Sequence, residues 1–126
     1  MDCRPCVRLA ERDSLANGIE HRVVAAVYEP SAEVVGFTEI ELRPHRADVA
    51  FQGETAVVAE HRGHGLGRYI KGHMATWLRS DRPELTRVVT STAASNVHMI
   101  RVNHQIGYTT SRTTLVMSCE LSDLRL

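Results

Sequence analysis

The chain is short of lysine, aromatic residues and cysteine, and each shortage closes a line of explanation. Of its 15 basic residues only Lys71 is a lysine, so a lysine nucleophile or Schiff base has almost no candidates. Aromatic content is 5%, and acidic and basic residues are equal at 15 each. That balance removes the stacking surface and positive field of a nucleic-acid binder, and any bulk attraction to an anionic membrane. No apolar run approaches the ~20 residues of a membrane span, and the amino terminus lacks the apolar stretch of a signal peptide, so the expected location is the cytoplasm. Three cysteines, Cys3, Cys6 and Cys119, make no disulfide framework. Cys3-Arg4-Pro5-Cys6 has the spacing of a redox pair or of half a zinc site, but no strand precedes it. No other pair recommends itself beyond His61-x-x-His64, and no metal is expected.

What the chain does have is glycine in one place. The run Val57-Val58-Ala59-Glu60-His61-Arg62-Gly63-His64-Gly65-Leu66-Gly67-Arg68 ends an apolar strand and opens a helix. The first N–H groups of a helix have no carbonyl partner and carry the positive end of the peptide dipoles, which suits an anion. Gly63, Gly65 and Gly67 keep side chains away from those N–H groups, and Arg62 and Arg68 flank them with planar donors for phosphate oxygens. Arg68-Tyr69 follows Gly67 where a nucleotide-hydrolase loop needs Lys and Ser or Thr. The sixth residue from Gly63 or Gly65 is Arg68 or Ile70, not the glycine of a dinucleotide fingerprint.

The remaining pattern, Arg-x-x-Gly-x-Gly at Arg62, Gly65 and Gly67, resembles the pyrophosphate loop of the GNAT acyltransferase family. A second block strengthens the likeness: a strand end, a polar turn, Asn-x-x-Met-x-x-x-Asn at Asn96, Met99 and Asn103, then Gly107-Tyr108. The resemblance covers about residues 20 to 120 and looks closest to the mycothiol synthase-type branch, with a shortened amino terminus. It implies an α/β fold with a mixed, mostly antiparallel sheet, splayed central strands and flanking helices, its first strand missing. It further implies an acetyl-CoA cosubstrate whose pantetheine arm runs along the backbone of Val57, Val58 and Ala59. The pyrophosphate would rest on Arg62, Gly63, His64, Gly65, Leu66, Gly67 and Arg68, with Asn96 bonding the arm from the other side.

Acetyl transfer to an amine needs a neutral nucleophile, an oxyanion donor and a proton for the departing thiolate. Glu54 is the first candidate base, with Glu39 and Glu41 as alternates. Asn103 stands where many members of the family place a tyrosine acid, and an amide cannot act as an acid at neutral pH. The implied activity is acetylation of a primary amine of a small molecule or peptide. The alternative is a CoA-binding module without catalysis, or half of a tandem acetyltransferase.

Residues 1–126 suit one domain, with a short helical segment over 1–19 and a core over 20–121. Val7 to Asn17 patterns as a helix stopped by Gly18. His21 to Tyr28 and Glu33 to Leu42 pattern as a hairpin, and Asp48 to Ala59 as a third strand bulged near Gly53. Leu66, Ile70, Met74, Trp77 and Leu78 form a helical stripe that packs on the sheet. Leu85 to Thr90 follows as a strand, Asn96 to Gln105 as a helix and Thr113 to Leu121 as a final strand. Without a first strand the sheet has an open edge at Val23 to Val27, so a homodimer is expected.

Overall fold

The computed structural model describes residues 16–125. Four strands form one sheet in the order β1-β2-β3-β4: β1 Glu20–Tyr28, β2 Glu33–Leu42, β3 Val49–Val57 and β4 Arg87–Val89. The first three pair antiparallel through short turns, while β4 lies parallel to β3. A parallel neighbour needs a crossover, and helix α1, Leu66–Asp81, supplies it; helix α2, Val97–Gln105, follows β4. This is the mixed, mostly antiparallel sheet with flanking helices expected from the sequence.

Alternation along β2 decides which face α1 covers. Thr38, Ile40 and Leu42 are buried, and Ile40 and Leu42 join Ala50, Met74 and Leu78 in one apolar cluster beneath α1. The intervening Glu39 and Glu41 therefore project from the opposite face. On the covered side Arg22 is buried. It donates to Glu20 at 2.7 Å and to Asp81, and its guanidinium lies 4.7 Å from the Trp77 ring centre. These contacts tie β1 to the carboxyl end of α1.

Strand β3 carries the expected bulge. Thr38 faces Thr55 and Ile40 faces Gln52, so the single residue Glu39 stands opposite both Gly53 and Glu54. An extra residue leaves backbone groups without a ladder partner and bends the strand. Here side chains meet them: Gln52 Nε2 donates to the Glu39 carbonyl at 2.7 Å, and the Glu54 N–H donates to Glu39 Oε1 at 3.2 Å. A Cβ on Gly53 would lie 2.7 Å from Glu39 Oε1, so the carboxylate occupies the space glycine leaves.

Two strand expectations are corrected. The segment Leu85 to Thr90 is a strand only over Arg87–Val89, and Thr113 to Leu121 forms none. Leu115, Val116 and Met117 are 81–94% exposed. An alternating apolar pattern fits a pleated surface but cannot supply one, and the neighbouring edge of β4 is three residues long. The expected helix at Val7 to Asn17 and the Cys3/Cys6 pair fall almost wholly outside the described residues. No helix among the described residues is long and apolar enough to cross a membrane.

Met74 is 1% exposed at the centre of the α1 cluster. Truncation there loses transfer energy and leaves a cavity, so Met74→Ala should cost about 2–5 kcal/mol in urea unfolding.

Candidate functional site

Strands β3 and β4 pair only at Val49, Ala50 and Phe51 against Arg87, Val88 and Val89. Beyond Phe51 no strand among the described residues lies beside that edge of β3, so the two strands part. The Val58 N–H donates to the Val35 carbonyl at 2.9 Å, which points Val58 toward β2. By alternation, the N–H and C=O of Val57 and Thr55 point out of the opposite edge into the gap. Of the three residues named for the pantetheine arm, Val57 alone presents backbone groups to that gap. The Val58 carbonyl accepts from His61, and the Ala59 carbonyl accepts from Arg62 within the 3-10 turn Ala59–His61.

The loop that follows ends in the first turn of α1. Gly63 and Gly65 have φ of 81° and 76°, the left-handed region that side chains disfavour. A Cβ on either would meet nothing within 4 Å, so open space lies above both. Gly67 sits inside the helix, 4.0 Å from Val57 Cγ2 by its ideal Cβ. Gly65 caps α1 with no side-chain hydrogen bond, and no acidic residue lies in the first turn. The helix-start N–H groups thus have no side-chain acceptor, and the donor set fits a diphosphate. Arg68 and His64 are exposed, and the half-buried Leu66 approaches β2 at Gly36. Arg62 turns back, its Nε donating to the Val57 carbonyl at 2.8 Å. It therefore ties the strand end to the loop.

The second motif delivers Asn96 as the cap of α2, its Oδ1 accepting from the Met99 N–H at 3.2 Å. Further along the same helix, Asn103 is buried. Its Oδ1 accepts from Lys71 Nζ at 2.8 Å, and its Nδ2 donates to Thr92 Oγ1 at 3.5 Å. Lys71 Nζ also lies 5.4 Å from the Tyr108 ring centre. These groups line a cleft of about 1000 Å³ that opens where the strands part, between Gln52 and the Thr90–Thr92 turn. Burial pushes the Lys71 ammonium down to about 8 and the Tyr108 phenol up to about 12.

The candidate bases sit on the other face. Glu54 is exposed beside Glu39 at the bulge. Glu41 is paired with Arg43, whose guanidinium lies 4.1 Å from the Phe51 ring centre. Glu54, on β3, and Asn103, on α2, the two residues named for catalysis, are thus held on different elements. Among the described residues no group of three or more His, Cys, Asp and Glu could hold a metal ion.

Sequence reasoning passed over three features here. Lys71 reads from its neighbours as part of an ordinary helix, and only its i, i+3 relation to the buried Met74 hinted at a buried position. Gly36 gives no motif, yet a Cβ there would lie 3.1 Å from the Ala56 carbonyl and 3.3 Å from Val57 Cγ2. The chain of Gln52, Thr38 and Thr55, joined at 2.9 and 2.8 Å, became visible only with the register.

Comparison with known proteins agrees with this geometry. The chain belongs to the GNAT acetyltransferase family, whose model matches residues 3–108. A tandem GNAT protein from the clavulanic acid biosynthesis pathway is 31% identical with a TM-score of 0.77, over 80% of this chain and 31% of that one. The chain therefore spans about a third of the length of that relative. An acetyltransferase of Trypanosoma brucei aligns over 94% of this chain and 81% of its own, with 15% identity and a TM-score of 0.63. A ribosomal-protein-alanine N-acetyltransferase of Brucella melitensis biovar Abortus 2308 aligns over 79% and 71%, with 16% identity and a TM-score of 0.61. These two show the shared fold. No curated protein matches the chain in sequence.

The position of Lys71 has a consequence for stability. Other titratable groups lining the cleft are Arg87, His104, Tyr108 and Arg112. An unfolded chain holds the lysine proton up to its ordinary 10.5, whereas the fold releases it at about 8. Between those values unfolding takes up a proton, so stability rises with pH. Tyr108 acts in the opposite sense only above its ordinary 10. Urea midpoints of the wild type should climb from pH 8 to 10 relative to those of Lys71→Met; parallel curves would show that Lys71 is not buried as an ammonium.

Proposed function

We propose that the chain transfers an acetyl group from acetyl-CoA to a primary amine of a small molecule or peptide. The observation that carries this reading is the parting of β3 and β4, which leads without interruption into a glycine loop and an uncapped helix start. An extended amide-bearing arm beside β3 can pair with the backbone groups of Thr55 and with the second lone pair of the Val57 carbonyl, whose first takes Arg62 Nε, as a missing strand would. Its diphosphate would rest on the N–H groups from Gly63 to Arg68, with Arg68 and His64 free to close over it. Asn96 keeps its Nδ2 as a donor while its Oδ1 caps the helix. The resemblance to mycothiol synthase-type enzymes rests on the same two motifs.

The acceptor belongs on the face that α1 leaves open. Glu39, Glu41 and Glu54 lie there together, and three carboxylates attract a protonated amine. Glu54 is the exposed member without an ion pair, and it is the base in this reading. The ammonium first loses a proton to Glu54, which releases it to water; the neutral nitrogen then bonds to the acetyl carbon, the carbon–sulfur bond breaks with its electron pair left on sulfur, and the second amine proton passes to Glu54. The Val57 N–H, aimed into the gap, is the donor for the carbonyl oxygen.

Titration calorimetry tests the cofactor half. Wild-type protein should bind CoA, and Gly65→Asp should weaken it at least ~10-fold, because the carboxylate takes the diphosphate position while Asp tolerates the left-handed backbone. Unchanged affinity would move the diphosphate elsewhere. Thiol release over an amine panel tests the other half. Glu54→Gln should lower turnover ~100-fold or more with CoA affinity intact. CoA binding with no turnover on any amine would favour the non-catalytic module instead.

A second copy is the partner we propose for the unpaired edges. Val23, Val27 and Val34 on the outer hairpin are 53–57% exposed, and the 109–120 segment bares Leu115, Val116 and Met117. Sedimentation should give twice the monomer mass of 14.1 kDa. A 14.1 kDa species that still binds CoA would reject the dimer.

A further inference from the structure

Lys71 is the only lysine of the chain, and it is 4% exposed. An ammonium has three N–H donors. Asn103 Oδ1 takes one, and the Tyr108 ring face lies 5.4 Å away. None of the ion pairs among the described residues includes Lys71. A buried cation without a counter-charge is expensive to keep. The described residues lining its cleft include no Asp or Glu. The cleft therefore offers positive charge, with donors to spare, at the point where β3 and β4 part. Burial leaves Lys71 little contact with solvent, and among the described residues no carboxylate pairs with it.

We infer that Lys71, held in place by Asn103, meets the negative charge left on the coenzyme A sulfur and returns a proton to it. The inference rests on the proposal that acetyl-CoA lies between the parted strands. When the carbon–sulfur bond breaks, its electron pair stays on sulfur, and sulfur takes a proton from the Lys71 ammonium. The amine proton meanwhile goes to Glu54. Lys71 then recovers a proton from water and Glu54 releases one to water, so both return to their starting states. Other groups in the cleft serve this step poorly. Tyr108 holds its proton up to about 12, the Asn103 amide is no acid, and His104 is exposed and faces Thr110 Oγ1 at 3.4 Å. An ammonium whose burial brings it to about 8 is matched to donate near neutral pH.

The test reads the thiol itself. CoA is titrated with base on the protein while thiolate absorbance is followed, for wild type, Lys71→Met and Lys71→Arg. An opposite charge within about 4–6 Å moves a pKa by about 1–3. The thiol bound to wild type should therefore ionise about 1–3 pH units below free CoA. Lys71→Met should abolish that difference, and Lys71→Arg should keep it while turnover falls, because arginine retains the charge and does not release the proton. Should Lys71→Met fail to fold, Asn103→Ala reports the same effect: loss of the tether should shrink the shift. Equal thiol titrations in wild type and Lys71→Met, with CoA bound to both, overturn the inference and leave the acetyltransferase reading standing. Absence of CoA binding to the wild type overturns both.

Discussion

The bulge at Gly53–Glu54 is the constraint on which the site depends. A regular β3 would keep a single register with β2 along its whole length. One extra residue instead bends the strand and shifts its pairing, so that Thr55 and Val57 turn their backbone groups away from β2 and into a gap. The bend leaves orphan groups that would be costly without partners. Gln52 meets the Glu39 carbonyl, and the Glu39 carboxylate meets the Glu54 N–H. The same glutamate fills the space above Gly53. A carboxylate is thereby held beside Glu54 for structural reasons, on the face where the chemistry of an amine would take place.

How far the sequence could be read depended on whether a signal was local. The glycine loop was legible because a helix start and left-handed glycines are short-range requirements, and Gly63 and Gly65 meet them. The α1 stripe was legible because Ile70, Met74 and Leu78 repeat at four-residue spacing and are all buried. Gly67 was read with the other two glycines, yet it is an ordinary helical residue near Val57. Arg62 was read as a phosphate ligand, and its Nε is used by the Val57 carbonyl five residues back. Nothing in a one-dimensional pattern marks that turn.

The carboxyl-terminal segment shows the opposite failure. Leu115, Met117 and Cys119 alternate with Val116 and Ser118 as a strand should, and the pattern is correct for a chain that has an edge to join. The segment joins neither edge of the sheet, the nine-residue β1 or the three-residue β4, so it stays exposed. Pattern specifies which face would be buried, and pairing specifies whether it is. Lys71 is the same lesson in reverse. A charged residue between Ile70 and Gly72 gives no sequence reason for burial, because its burial is made by Asn103, Thr92 and Tyr108 arriving from 20 to 40 residues away.

Neutral composition hides a division of charge that matters more than the total. Glu39, Glu41 and Glu54 project from one face of the sheet, while Lys71 lies buried in the cleft beneath the other. The loop bearing Arg62 and Arg68 continues the positive side around the end of β3. A reaction that joins a cationic amine to the acyl end of an anionic carrier needs both fields within reach of one bond. The bent strand β3 is the thinnest wall that can separate them, one backbone thick, with its Val57 N–H aimed through the opening. Closing the bulge would shift the register by one residue and turn that N–H back toward β2. It would also draw Glu54 out of its place beside Glu39, so the fold cannot lose one half of the site and keep the other.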